Sequence, residues 1–195
     1  MHKHSRSYNH PSKFFKKRSY TFRTFFTDVL RIIRHRKYLR NAHQSDRVSK
    51  NFSEHLMLVV TGINGCIYCE WGHTTFALQA GSTLDEIHAL LVQEYGEFPP
   101  EEKLALVFAQ HYAESAGQPS KQSIRALLGE YGLETGRDII VFCEMITIGN
   151  LLGNSVSAFF SRLEGIPPEH GSFFFELAVF LFGGFFFDRY MNRNR

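Results

Sequence analysis

The sequence predicts an all-α fold, and three observations carry that expectation. Apolar residues recur at helical spacing in segment after segment, no stretch alternates with period two, and no two-residue hairpin signal separates apolar runs. The 195 residues suffice for one domain with a sizeable core. A composition of 44% hydrophobic and 21% charged residues is ordinary for a soluble globular chain.

Residues 1–20 read as a basic flexible tail, and residues 21–195 as a single helical domain with its core in residues 50–115. The first helix is expected from Thr24 to about Arg40, with Phe25, Val29, Leu30, Ile33 and Leu39 as its apolar stripe. A second follows from Ser49 to about Gly62, carrying Phe52, Leu56, Val59 and Val60, with Gly62–Gly65 as the turn. A third runs from about Cys66 to Ala80, where Gly81 sits in the position of a helix-ending glycine. Thr83 and Glu86 form a capping box that opens the fourth. Pro99-Pro100-Glu101-Glu102 opens the fifth, with proline in its first turn and acids at the positive dipole end, and Gly117 closes it. The sixth starts at Pro119-Ser120 and stops near Gly132. A long apolar helix then covers about Glu134 to Leu163, ended by Gly165 and Pro167-Pro168, and a Phe-rich helix spans Phe173 to Phe182.

The net charge of +3 conceals an asymmetry. Residues 1–50 hold fourteen Lys or Arg against Asp28 and Asp46, a charge of +12, and the remainder carries −9. Such a split marks either an interaction tail or a basic arm lying on an acidic body. The apolar stripe within the basic segment favours the arm, since it needs covering. Nucleic acid is not an expected partner, because no recognition motif accompanies the charge. Membrane association is not expected either: the longest apolar run, Leu177 to Phe187, is eleven residues and too short to span a bilayer. No apolar segment of signal-peptide type follows the basic N-terminus, although residues 1–43 are rich in Arg and poor in acids, as transit peptides are. Three cysteines, two of them as Cys66-Ile-Tyr-Cys69, suit a reducing compartment and a reactive pair better than a secreted disulfide scaffold. A cytoplasmic location is the corresponding expectation.

The chemistry concentrates at that pair. A C-x-x-C at a helix start puts two sulfurs within disulfide reach, and the helix N-terminus stabilises the thiolate, which is the reactive form. His73 lies four residues after Cys69, on the same helix face. If the second and third helices form a hairpin centred between Ile63 and Asn64, Glu54 and His73 stand equidistant from the turn and oppose each other. A carboxylate, a histidine and a cysteine in that order make an orienter, base and nucleophile series. The rival readings are a zinc site built from Cys66, Cys69, His73 and Glu54, and inert packing. The zinc site lacks the second close-spaced Cys or His pair that structural zinc normally uses. Cys143, set among Ile140, Val141, Phe142, Met145 and Ile146, reads as a core residue. His111-Tyr112, Asn150 and Asn154 are polar groups in apolar helices that line a pocket or satisfy one another in the core.

The stretch from Glu54 through Thr61-Gly-Ile-Asn-Gly-Cys66-Ile-Tyr-Cys69 to His73 and Ala80-Gly81 resembles the carboxymuconolactone decarboxylase superfamily, and within it the AhpD-like alkylhydroperoxidase branch. Ile148-Gly-Asn-Leu-Leu-Gly-Asn154 is similar to the corresponding helix of longer members. The resemblance implies a helical bundle built around the hairpin that carries the C-x-x-C. It implies trimers or hexamers, and peroxidase or disulfide-reductase chemistry with no metal or organic cofactor. Its substrate would be a hydroperoxide and its reductant a dithiol or a reduced protein. By position, Cys69 is the peroxidatic cysteine, Cys66 the resolving cysteine and proton donor, and Glu54 with His73 the proton relay. Tyr68 stands where some peroxidase members carry a second histidine. Decarboxylase members lack the cysteine pair, so lactone decarboxylation is not implied. Two alternatives remain: a thiol–disulfide oxidoreductase on the same residues, and a non-catalytic protein that senses redox state while its basic arm binds a partner.

Overall fold

The structure, a computed structural model, describes residues 15–184. Its described residues form seven α-helices and no strand beyond an isolated bridge between Phe15 and Pro168. The all-α expectation therefore holds. The helices are α1 (Phe22–Gln44), α2 (Lys50–Asn64), α3 (Ile67–Gln79), α4 (Leu84–Leu91), α5 (Pro100–Glu114), α6 (Lys121–Leu163) and α7 (Phe173–Val179). A π-helical turn, Phe180–Gly184, continues α7. Part of the Phe-rich segment, Phe185 to Phe187, lies outside the described residues.

Local chemistry sets most of the helix ends. Thr21 caps α1 and Ser49 caps α2, Thr83 and Glu86 form the reciprocal capping box of α4, and Ser120 caps α6. The expected break near Gly132 is present. Two helices meet there in a kink within α6, where Gly132 takes φ 75° and ψ 173°, a conformation essentially confined to glycine.

The second helix differs from its expectation in two ways. It continues to Asn64, and the turn is Gly65 alone, at φ 67° and ψ 33°. Gly62 is not a turn residue. A Cβ placed there would stand 2.5 Å from the Leu91 carbonyl oxygen, so glycine lets α2 and α4 touch. The helix is also buried all round: every residue from Phe52 to Thr61 is covered, because α3, α4, α5 and α6 all pack against it. Burial on that scale forces each polar side chain on α2 to find a partner. His55 bonds Glu102 of α5 through Nδ1 at 2.9 Å and Ser82 Oγ through Nε2 at 3.0 Å. Glu102, expected as a helix-dipole residue, thus also ties α5 to the centre.

The basic arm lies on the body. His35 meets Glu144 at 2.9 Å, and Arg47, just beyond α1, bonds Asp138 at 2.7 Å. Phe25 and Leu39 pack inward, but Leu30 and Ile33, expected on the same stripe, are each 53% exposed. They belong instead to a second row, Phe22, Phe26, Leu30 and Ile33, whose spacing follows the outer face of the helix. The described end of the expected tail is not free either. Phe15 exchanges backbone bonds with Pro167 and Glu169, and Tyr20 is buried with its N–H on Ser155 Oγ at 3.0 Å. Only residues 1–14 of that expectation lie outside the described residues.

Helix α6 is long and apolar enough to cross a membrane by length and composition, yet 67% of its apolar stretch is buried within the fold, as in a core helix. Near its end, Arg162 holds Glu176 of α7 with Nε and Nη2 on the two carboxylate oxygens. The carboxylate is fully buried, a position that a charge tolerates only with such a partner.

Candidate active site

The four residues expected to act together come from two adjoining helices. Cys66 is the N-cap of α3 and its sulfur accepts the Cys69 N–H at 3.3 Å, so this thiol satisfies one of the unpaired donors of the helix start. One turn on, Cys69 Sγ lies 2.6 Å from Cys66 Sγ, and the two thiols share a hydrogen bond. All three cysteines are free thiols. A small movement would bring Cys66 and Cys69 to the S–S bond length of about 2.05 Å.

The proton between these sulfurs is unequally shared. The bond from the Cys69 thiol holds Cys66 below the ordinary cysteine range. The backbone N–H groups of Cys69 and Tyr68 and the charge of Lys17 add to the effect, against the opposing influence of burial. Cys69 is pushed far up, first by donating to Cys66 and then by its own burial, with Asn150 partly offsetting both. Around neutral pH the pair therefore carries at most one negative charge, centred on Cys66, with Cys69 holding the proton. The sequence reading takes Cys69 as the attacking sulfur, and in the resting pair the hydrogen bond between the sulfurs lowers Cys66 and raises Cys69. The capping position adds to that hydrogen bond, because Cys66 accepts the N–H groups of Tyr68 and Cys69 in the first turn.

Glu54 of α2 and His73 of α3 form the expected pair, with His73 Nδ1 2.7 Å from Glu54 Oε2. The carboxylate fixes the hydrogen on Nδ1, which leaves Nε2 as the basic nitrogen. Mirror symmetry reached this pair from a turn centre two residues too early, because α2 ends at Asn64 and α3 begins at Ile67. The offset amounts to about one helical turn, roughly 5–6 Å, which a glutamate and a histidine span together. Glu54 also borders a cavity of about 680 Å³ lined by Ser49, Met57, Phe76 and Phe142.

Helix α6 closes the other side of the dithiol. A Cβ on Gly153 would meet Cys66 Sγ at 2.5 Å, and one on Gly149 would lie 3.9 Å from Cys69 Sγ. Between and beyond these glycines, Asn150 binds Asn64 and Thr61, each at 3.1 Å, and Asn154 binds the Asn64 carbonyl at 2.9 Å. The two asparagines, read from sequence as pocket or core residues, pin the end of α2 and so hold the turn that leads into Cys66. Sequence reasoning missed the part the glycines play. Its signal was Gly-Asn repeated four residues apart, since glycine inside a helix costs about 1 kcal/mol relative to alanine without a packing reason.

Cys143 is enclosed in the core and burial raises its thiol well above the ordinary range. His111 takes a structural part, accepting the Ser120 N–H at 3.2 Å. Among the described residues no group of three or more His, Cys, Asp or Glu side chains is gathered as metal ligands. Mild oxidation followed by mass spectrometry should yield a Cys66–Cys69 disulfide with Cys143 reduced. A major product linked through Cys143 would contradict this arrangement.

The profile of the carboxymuconolactone decarboxylase family matches residues 34–110, the segment that holds Glu54, Cys66, Cys69 and His73. That segment is similar to the carboxymuconolactone decarboxylase family. No curated protein and no solved structure matches it. The matched segment supplies the four polar residues, while Gly149, Asn150, Gly153 and Asn154 that pack on them come from α6, outside the match.

Proposed function

We propose that the chain is an AhpD-like hydroperoxide reductase that uses Cys69 as nucleophile, Cys66 as proton carrier and resolving thiol, and Glu54 with His73 as a proton relay. The observation that carries this reading is the 2.6 Å hydrogen bond between Cys66 Sγ and Cys69 Sγ, one helical turn from the Glu54–His73 pair. Cys69 passes its proton to the Cys66 thiolate and attacks the terminal oxygen of the hydroperoxide. The O–O bond breaks, Cys69 becomes a sulfenic acid, and Cys66 gives the proton to the departing alkoxide. The Cys66 thiolate so restored attacks the Cys69 sulfur, closing the disulfide and releasing hydroxide, which takes a proton from the relay and leaves as water. A dithiol or reduced protein returns two electrons and the protons. No metal or organic cofactor enters these steps, and the reducing cytoplasm is the compartment that suits the free thiols.

Stopped-flow turnover of an organic hydroperoxide with dithiothreitol tests the reading. Activity should vanish in Cys69→Ser, while Cys66→Ser should accumulate sulfenic acid without disulfide. Fast reduction of small disulfides with no peroxide turnover would assign the same residues to thiol–disulfide exchange instead.

The enzyme works as a homo-oligomer, a trimer or hexamer. Support comes from the exposed row Phe22, Phe26, Leu30 and Ile33 on α1 and from Phe174 and Phe182 near the other terminus, exposed at 72% and 81%. Apolar surface of that extent calls for a partner. Light scattering should report an assembly, and a monodisperse monomer without detergent would rule it out.

A further inference from the structure

The segment before α1 is fastened at both ends and in the middle. Phe15 is bonded to Pro167 and Glu169, the Arg18 carbonyl accepts Asn154 Nδ2 at 3.0 Å, and Ser19 Oγ donates to the His170 carbonyl at 2.9 Å. Asn154 also binds the end of α2, so one side chain anchors both this segment and the turn into the dithiol. The arrangement lays Lys17 over Gly65. Its Cε and Nζ stand 3.4 and 3.8 Å from the point where a Gly65 Cβ would be, immediately before Cys66.

Lys17 faces a second feature as well. A cavity of about 380 Å³ is bordered by Lys16, Lys17, Arg18, Arg23, Arg31 and His170. Two acids also line it, Asp28 and Glu169. Asp28 is already taken by the Tyr20 hydroxyl at 2.8 Å and by Arg31 at 3.6 Å. Among the described residues, Lys16, Lys17, Arg18 and Arg23 have no ion-pair partner. Cations gathered around a concave surface focus a positive field, and guanidinium groups among them match the geometry of a carboxylate.

We propose that this basic cavity is a subsite for the carboxylate of a small-molecule oxidising substrate, with Lys17 shared between the bound anion and the dithiol. The inference rests on the dithiol being the reactive centre and narrows its substrate class to carboxylate-bearing hydroperoxides.

Alkylation of the full chain tests the subsite without any peroxide. The thiolate attacks the reagent's methylene carbon, a C–S bond forms and iodide leaves, whether the reagent is anionic iodoacetate or neutral iodoacetamide. Both consume the same thiolate, so the ratio of their rates cancels any change in thiol acidity and reports the anion's local concentration. The iodoacetate-to-iodoacetamide ratio at Cys66 and Cys69 should fall about tenfold in Lys17→Gln/Arg23→Gln, the scale on which a focused field raises encounter. Inorganic phosphate should lower it in the parent chain but not in the variant. In turnover, a fatty-acid hydroperoxide should show a lower KM than its methyl ester, and the difference should disappear in the variant. An unchanged ratio, or equal slowing of both reagents, would overturn the subsite. A ratio that falls in the variant, with no turnover of either hydroperoxide, would leave the subsite standing and refute the peroxidase reading.

Discussion

Glu54→Gln and His73→Ala should each slow oxidation of the dithiol by an organic hydroperoxide roughly 10²-fold, the usual worth of a positioned acid–base group. The double variant should be little worse than either single one. His73 is held by Glu54 at 2.7 Å through Nδ1, with the carboxylate only 8% and the imidazole 20% exposed. Without the carboxylate, the buried ring loses the partner that sets its tautomer, and Nε2 no longer presents a basic lone pair at the right place. Without the imidazole, the carboxylate has nothing to act through. Residues that work as one unit give strongly non-additive losses. Stopped-flow oxidation rates across neutral pH for the three variants would measure this, together with alkylation of Cys69, whose apparent acidity should weaken in each. Losses that multiply in the double variant would show that the two residues act separately.

The second large effect is expected at Gly153. Alanine there would place a methyl group 2.5 Å from Cys66 Sγ, closer than any real contact. The sulfur cannot swing aside, because it is fully buried and caps α3 through the Cys69 N–H. Either α6 or the start of α3 must move. Overpacking of this kind costs about 1–3 kcal/mol, and displacement of Cys66 also breaks the 2.6 Å bond on which proton sharing depends. Gly153→Ala should therefore lower the unfolding midpoint and slow disulfide formation at least tenfold, since misplacing reacting groups by about 1 Å costs as much or more. Gly149→Ala is the matched control. Its methyl would lie 3.9 Å from Cys69 Sγ, an ordinary contact, and it should leave chemistry intact while gaining up to about 1 kcal/mol of helix propensity. Chemical denaturation and dithiol oxidation rates on both variants separate the cases. Equal behaviour of the two alanines would refute the close-packing account.

The sequence by itself determined the features that depend on neighbours a few residues apart. Helical periodicity named the fold class, and side chains within one turn set the boundaries, as Thr83 with Glu86 and Ser120 with Ser123 show. The pairing of Glu54 with His73 was legible for the same reason: a short turn leaves few ways for two consecutive helices to meet. Tertiary structure decided what depends on segments distant in sequence. Gly62 looked like a turn until the Leu91 carbonyl was seen against it. Leu30 and Ile33 looked inward until α6 chose the other face of α1. The charge asymmetry showed that a basic arm existed, but only the anchoring of residues 15–20 on α6 and its C-terminal loop put Lys17 beside Gly65. Which cysteine holds the proton also waited on three dimensions. A C-x-x-C motif is nearly symmetric as written, and the asymmetry comes from Cys66 occupying the cap, closed in by Gly153 and approached by Lys17.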